Sequence, residues 1–221
     1  MCVNTRIILA ILFAVSAQIA FSQVKPDAME SYRTGRELES QGRAAESNAK
    51  YQEAVNICLN EISTGAATMD TYAVLTWALQ RQNKYAEVIL RGNEALNIQR
   101  DYRVIETMGE AYFYLNDFAA SLRCMQRYIA NVPNGDRTSV AYFFIGEIYR
   151  FQKKYNYADI AYTTAVNLTP HLALWWYRLG SAREAAGYRE FARQAYERAL
   201  RIDPGYVQAG EGLERTRRES A

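Results

Sequence analysis

Histidine is almost missing from this chain of 221 residues, with His171 the only one. A single imidazole excludes a histidine-built zinc site, because the cysteines are neither near it nor at ligand spacing. The sequence offers no Ser-His-acid constellation to assemble, no H-E-x-x-H and no glycine-rich phosphate loop. Charge of one sign is lacking too. The 26 Lys and Arg against 24 Asp and Glu leave a net charge of +2, without the basic footprint of a nucleic-acid binder. Long apolar runs are limited to one, Ile7 to Phe21, which Gln18 interrupts. It is shorter than the roughly 20 residues a membrane-spanning helix needs.

That run, with Arg6 ahead of it and small residues after it, reads as a signal peptide over residues 1–22. Two cleavage sites fit the small-x-small rule, after Ala17 and after Ser22. The second is preferred because it places the mature start just ahead of the polar stretch at Lys25. An uncleaved anchor is the alternative. A lipid anchor would need a cysteine directly after the run, whereas Cys2 precedes it. The expectation is an exported protein, periplasmic or secreted, with no integral membrane span in the mature chain.

What the chain does have is a repeat. Trp176, Leu179-Gly180, Ala192, Tyr196, Ala199 and Pro204 form one copy; thirty-four residues earlier stand Tyr142, Ile145-Gly146, Ala158, Tyr162, Ala165 and Pro170. Counting back from these copies puts first-helix starts at Ala28, Met69, Tyr102, Ser139 and Ala173. The eighth position of each unit is then Gly35, Thr76, Gly109, Gly146 and Gly180. Glycine costs about 1 kcal/mol relative to alanine inside a helix, so its recurrence at one phase needs a cause. Close approach of two antiparallel helices supplies it.

Opposing small sites recur at Ser47, Ser121, Ala158 and Ala192, with Val88 the exception at that phase, and again at Ala54, Ala95, Ala165 and Ala199. Bulk alternates with them at position 4 (Ser31, Tyr72, Ile105, Tyr142, Trp176) and position 24 (Tyr51, Gly92, Met125, Tyr162, Tyr196), both read as core. Tyr128, where alanine is expected, should spread its unit or turn toward the next one. Asn134-Gly135-Asp136 marks a longer turn.

This pattern resembles the tetratricopeptide repeat family. The resemblance implies an all-α, right-handed superhelical solenoid of about five helix–turn–helix units, with a C-terminal capping helix. The units run about 28–68, 69–101, 102–138, 139–172 and 173–206, and the cap 207–218. Cys58 and Cys124 then fall on second helices two units apart, too far for the roughly 7 Å that a disulfide allows. The arginines of the cap stand among glutamates and read as a solvated face.

In the family, first helices line a concave groove. Carrying the phases over assigns to it Tyr32 and Arg36 from the first unit, and Trp77, Gln80 and Arg81 from the second. The third gives Arg103, Glu106, Glu110, Phe113 and Tyr114; the fourth Phe143, Glu147, Arg150 and Phe151; the fifth Tyr177, Ser181 and Glu184. These positions are expected to be free of the seam inside each unit. The carboxylate clamp of chaperone-binding members uses Lys and Asn, but Tyr32, Arg36, Ala73 and Trp77 stand at its places here, so the clamp is absent. Glu106 and Glu110, one turn apart, read as a solvated or salt-bridged pair. The resemblance implies a scaffold or adaptor of the bacterial cell envelope that binds a protein or peptide partner, with no enzymatic activity, no cofactor and no nucleic acid. A homo-oligomer and a small-ligand binder are the alternatives.

Overall fold

The computed structural model describes residues 27–218; the leader read in residues 1–22 lies outside them. Among the described residues there are eleven helices and no strand. The first three pairs are α1 (Ala28–Ser40) with α2 (Ala44–Ser63), α3 (Met69–Arg81) with α4 (Tyr85–Ile98), and α5 (Tyr102–Tyr114) with α6 (Phe118–Asn131). They are followed by α7 (Thr138–Phe151) with α8 (Tyr155–Leu168), α9 (Ala173–Ala185) with α10 (Arg189–Ile202), and the single α11 (Val207–Arg218). No helix among the described residues is long and apolar enough to cross a membrane.

Each helix packs on the next in sequence. First helices also touch one another, α1 on α3, α3 on α5 and α5 on α7, whereas second helices share no comparable contact. The first helices therefore form an inner layer and the second helices an outer one, giving a helical solenoid.

Local chemistry sets the boundaries. Asp27 and Asp101 cap α1 and α5 by accepting the backbone N–H of Met29 and Arg103, each at 2.8 Å. Thr68 and Thr71 form a reciprocal capping box at the start of α3. Every first helix ends on one left-handed residue, Gly42, Asn83, Asn116, Lys153 or Gly187. The following N–H then returns to a carbonyl five residues back, as from Arg43 to Leu38 at 2.9 Å and from Tyr188 to Arg183 at 2.8 Å. Glycine reaches this conformation freely; Lys153 does not, and its position costs about 1–2 kcal/mol.

The seam within a unit explains the glycine phase. A Cβ on Gly146 would lie 2.5 Å from the Tyr162 ring, and one on Gly180 2.6 Å from the Tyr196 ring. Both tyrosines have no exposed surface, and burial of such a side chain stabilises by roughly 1.5–3 kcal/mol. Unit two reverses the fit. Thr76 stands on the first helix, and the glycine moves across to Gly92, where Met108 of the following unit leaves 2.4 Å to a Cβ.

Two core expectations change. In the last unit Trp175 is buried at 7% exposure, while Trp176 is only half-buried and donates its Nε1–H to the Pro170 carbonyl at 2.9 Å. Position 4 is also only half-buried at Tyr142. Position 3 is buried in units two to five (Thr71, Val104, Ala141 and Trp175), and there Trp175 meets Phe143 of α7. Tyr128 takes the second of its two expected courses: it is buried, and its hydroxyl accepts the N–H of Arg137 in the turn before α7 at 3.3 Å. Both cysteines are free, and burial pushes the Cys58 thiol up to about 12.

Candidate protein-binding groove

A groove of about 1080 Å³ opens along α1, α3 and α5 of the inner layer. Tyr32, Arg36, Trp77, Gln80, Arg81, Arg103, Glu106, Glu110 and Tyr114 line it. Of the residues assigned from the sequence, these are the ones the structure brings together.

Their spacing follows from helix geometry, because positions three and four apart share a face. Trp77, Gln80 and Arg81 thus project together from α3, as do Arg103, Glu106 and Glu110 from α5. Tyr32 is wedged between Tyr51 and Trp77, both at 5.7 Å between ring centroids, and is only 8% exposed. Its bulk therefore serves the core as well as the groove, contrary to the expectation that groove positions are free of the seam. Tyr85 and Tyr114 stack at 4.7 Å on the same wall.

The remaining assigned positions are placed elsewhere. Phe113 packs among Phe118, Phe144 and Phe151. Phe143 stacks on Trp175 at 4.9 Å with nearly parallel rings. Glu147 is buried, receiving the Tyr162 hydroxyl, Arg150 at 2.9 Å and Arg178 at 3.1 Å. Arg150 lies over the exposed ring of Phe151 at 4.5 Å. Tyr177 leans on Tyr196 and Tyr206, and Glu184 accepts from Tyr196 and from Arg215 of α11. Ser181 does not line the groove. In units four and five several inward side chains are engaged by neighbouring ones, while Phe151 stays exposed. Core packing does require the bulk of Phe143 and Glu147, and the expectation is corrected there too.

The groove also has walls that the first-helix phases missed. Tyr85 comes from the start of α4, Arg100, Asp101 and Tyr102 from the α4–α5 corner, and Val132, Gly135, Asp136 and Arg137 from the turn before α7. The long turn at 134–136 was the signal in the sequence. Its extra residues carry Arg137 back over α5, where the guanidinium lies 3.1 Å from Glu106 and also pairs with Glu110.

Glu106 is 3% exposed. Burial, reinforced by the Glu110 carboxylate, pushes its pKa well above the ordinary carboxylate range despite Arg137. Burial opposes the charge on Arg137, but Glu106 and Glu110 outweigh it and raise its pKa. The two carboxylates are thus a salt-bridged pair. Among the described residues no cluster of side chains could hold a metal ion.

The model of the tetratricopeptide repeat matches residues 139–172 and 176–206. A search of curated proteins found no match. Among solved structures, one resembling this chain is YrrB, described as a TPR protein with an unusual peptide-binding site. It has a TM-score of 0.57 at 17% identity, covering 85% of this chain and 92% of that one. MamA from Desulfovibrio magneticus RS-1 gives 0.62 at 14% identity, with 82% and 98% covered. The Cut9–Hcn1 hetero-tetramer of the APC/C gives 0.64 at 16%, with 86% and 36% covered. At these identities the likeness concerns the fold alone. Units four and five match the tetratricopeptide repeat, and the described chain as a whole has the fold of tetratricopeptide-repeat proteins.

Proposed function

We propose that this chain is a non-catalytic interaction protein that holds a peptide segment of a partner in the groove along α1, α3 and α5. The observation that carries this reading is the groove itself: about 1080 Å³, with aromatic rings and both charge signs on its walls. Aromatic and arginine side chains are the usual anchors of protein interfaces. YrrB, of like fold, is described as having a peptide-binding site. The apolar leader read in residues 1–22 adds that the protein acts after export, as a scaffold or adaptor of the bacterial cell envelope.

Photo-crosslinking in the native cell tests this, with a probe in place of Trp77 and a control in place of Ile160, which is 66% exposed on α8. One foreign protein captured at 77 and not at 160 is the expected result. Equal capture at both positions, or none at 77, would remove the groove from the account.

A second reading, self-association through the outer layer, is favoured by the exposed apolar side chains Tyr157, Ile160 and Phe191. Capture of a second copy at 160 supports it, and a monomer by light scattering well above micromolar concentration removes it.

A further inference from the structure

Beyond the groove, we infer that the outer layer of units three to five is a docking surface for an anionic lipid bilayer. The inference starts from how charge is distributed along the second helices. Helices α6, α8 and α10, with the turns that lead into them, carry eight basic residues against four acidic ones. In α2 and α4 with their turns the balance is four against five. Internal pairing widens the contrast. All four carboxylates of the basic half are engaged: Asp117 accepts the Ala120 N–H at 3.0 Å, Asp159 holds Arg183 at 2.8 Å, and Glu190 and Glu197 both pair with Arg193. Arg123, Arg127, Lys153, Lys154 and Arg201 are exposed, and their side chains form no ion pair among the described residues.

The same half exposes apolar side chains. Phe151, Tyr157, Ile160, Leu168, Tyr188 and Phe191 stand out from it, against Leu90 and Ile98 in the outer layer of units one and two. Arg183 links the patch: its guanidinium reaches Asp159 and Thr163 of α8 and lies over the Phe191 ring of α10 at 5.8 Å. The turn of unit four adds an observation of its own. Lys153 holds the left-handed position that glycine or asparagine takes in the other units. The fold disfavours a lysine there, and a negative surface outside the molecule gives its charge a use.

Exposed rings and aliphatic side chains set among unpaired cations match the boundary of an anionic bilayer. There the apolar groups enter the headgroup region, while lysine and arginine stay at the phosphates. A second copy fits the patch less well, because under a twofold axis it would meet itself, cation against cation. Docked on lipid through its outer layer, the protein turns the inner layer and its groove away from the bilayer.

The test floats the chain from Gln23 onward with vesicles, so that the apolar run at residues 7–21 takes no part. The vesicles are phosphatidylcholine with or without an equal share of phosphatidylglycerol. Binding is expected to the anionic vesicles alone, and should fall as salt rises from about 0.05 to about 0.5 M. Lys153→Gln with Lys154→Gln should weaken it by at least about tenfold, and Ile160→Ser with Phe191→Ser by a similar factor. Arg43→Gln with Lys50→Gln, in the outer layer of unit one, should leave it unchanged, as should Trp77→Ala in the groove. An environment-sensitive fluorescent side chain in place of Ile160 should shift to the blue on anionic vesicles. The same label in place of Leu90, the equivalent exposed position of unit two, should not. Circular dichroism establishes that each variant is folded.

Equal binding to both vesicle types, or equal shifts at 90 and 160, overturns the charged docking surface. Binding that ignores Lys153 and Lys154 overturns the assignment of the site. Without vesicle binding the inference fails, and the groove reading is untouched. Capture by polyglutamate would then give the patch to an acidic protein, and dimers dispersed by Ile160→Ser with Phe191→Ser would give it to a second copy.

Discussion

Units one to three and units four and five use the same inward positions in opposite ways. In the first three, Arg36, Trp77, Gln80 and Arg81 border open space. In the last two, Phe143 stacks on Trp175 and Glu147 is buried beneath Arg150 and Arg178, while Phe151 stays exposed. These two units are also those that match the repeat model. The difference teaches that regularity of the repeat and openness of the surface are separate properties. The near-ideal units pair their inward side chains with one another, and the irregular ones, with Gly92 facing Met108 of the following unit and a long turn at 134–136, border the groove.

Paired tryptophans give the largest effect with which to break this comparison. Trp175→Ala should cost about 3–5 kcal/mol in chemical denaturation, as for other large-to-small changes in a core, and leave the affinity of the still-folded protein intact. Trp77→Ala should cost less stability, since that side chain is only half-buried, but abolish partner binding. An exchange of these two phenotypes would mean that the binding half is misassigned. Next in size is Gly146→Ala. Its Cβ would press on the Tyr162 ring, and a loss of about 1–3 kcal/mol is expected from overpacking. A neutral result would show that the tyrosine ring can shift and that the seam is looser than its geometry.

The buried carboxylate sharpens the comparison through pH. Because burial raises the folded pKa of Glu106 well above the ordinary carboxylate value of about 4.5, folding takes up a proton. Stability from this group is therefore lost as pH rises above about 4.5, up to the folded pKa. Glu106→Gln should flatten the decline in that window, as read from denaturant midpoints at a series of pH values. Carboxylates with lowered pKa, such as Glu184 held by Arg215 against its own burial, act in the opposite sense below pH 4.5 and do not interfere. An unchanged slope in Glu106→Gln would show that Arg137 keeps Glu106 ionised in the folded protein. The smallest effect is expected at Lys153. Replacing it with glycine relieves a left-handed residue and should raise stability by about 0.5–1 kcal/mol, measured by the same unfolding curves.

Much of the fold was legible because it rests on local constraints. A small residue must face a tyrosine within a unit, and polar or glycine residues must end each first helix; Gly146 opposite Tyr162 and the turn at Gly187 carry those rules in the sequence itself. The groove was less legible, since it depends on contacts between units. Trp77 and Glu147 share one phase, yet Glu147 is buried beneath Arg150 and Arg178 while Trp77 borders the groove. Nor does the phase of α5 reveal Arg137, which arrives from a turn and pairs with Glu106 and Glu110. The exchange of Trp176 for Trp175 in the core has the same origin, because Phe143 of the preceding unit stacks on Trp175.

The most direct test of the account is hydrogen exchange on the protein with and without the partner recovered at position 77. The account predicts slowed exchange in α3, α5 and the turn at residues 132–137, with α8 and α10 unchanged. Protection confined to α7 and α9, or to the outer helices α8 and α10, would contradict it.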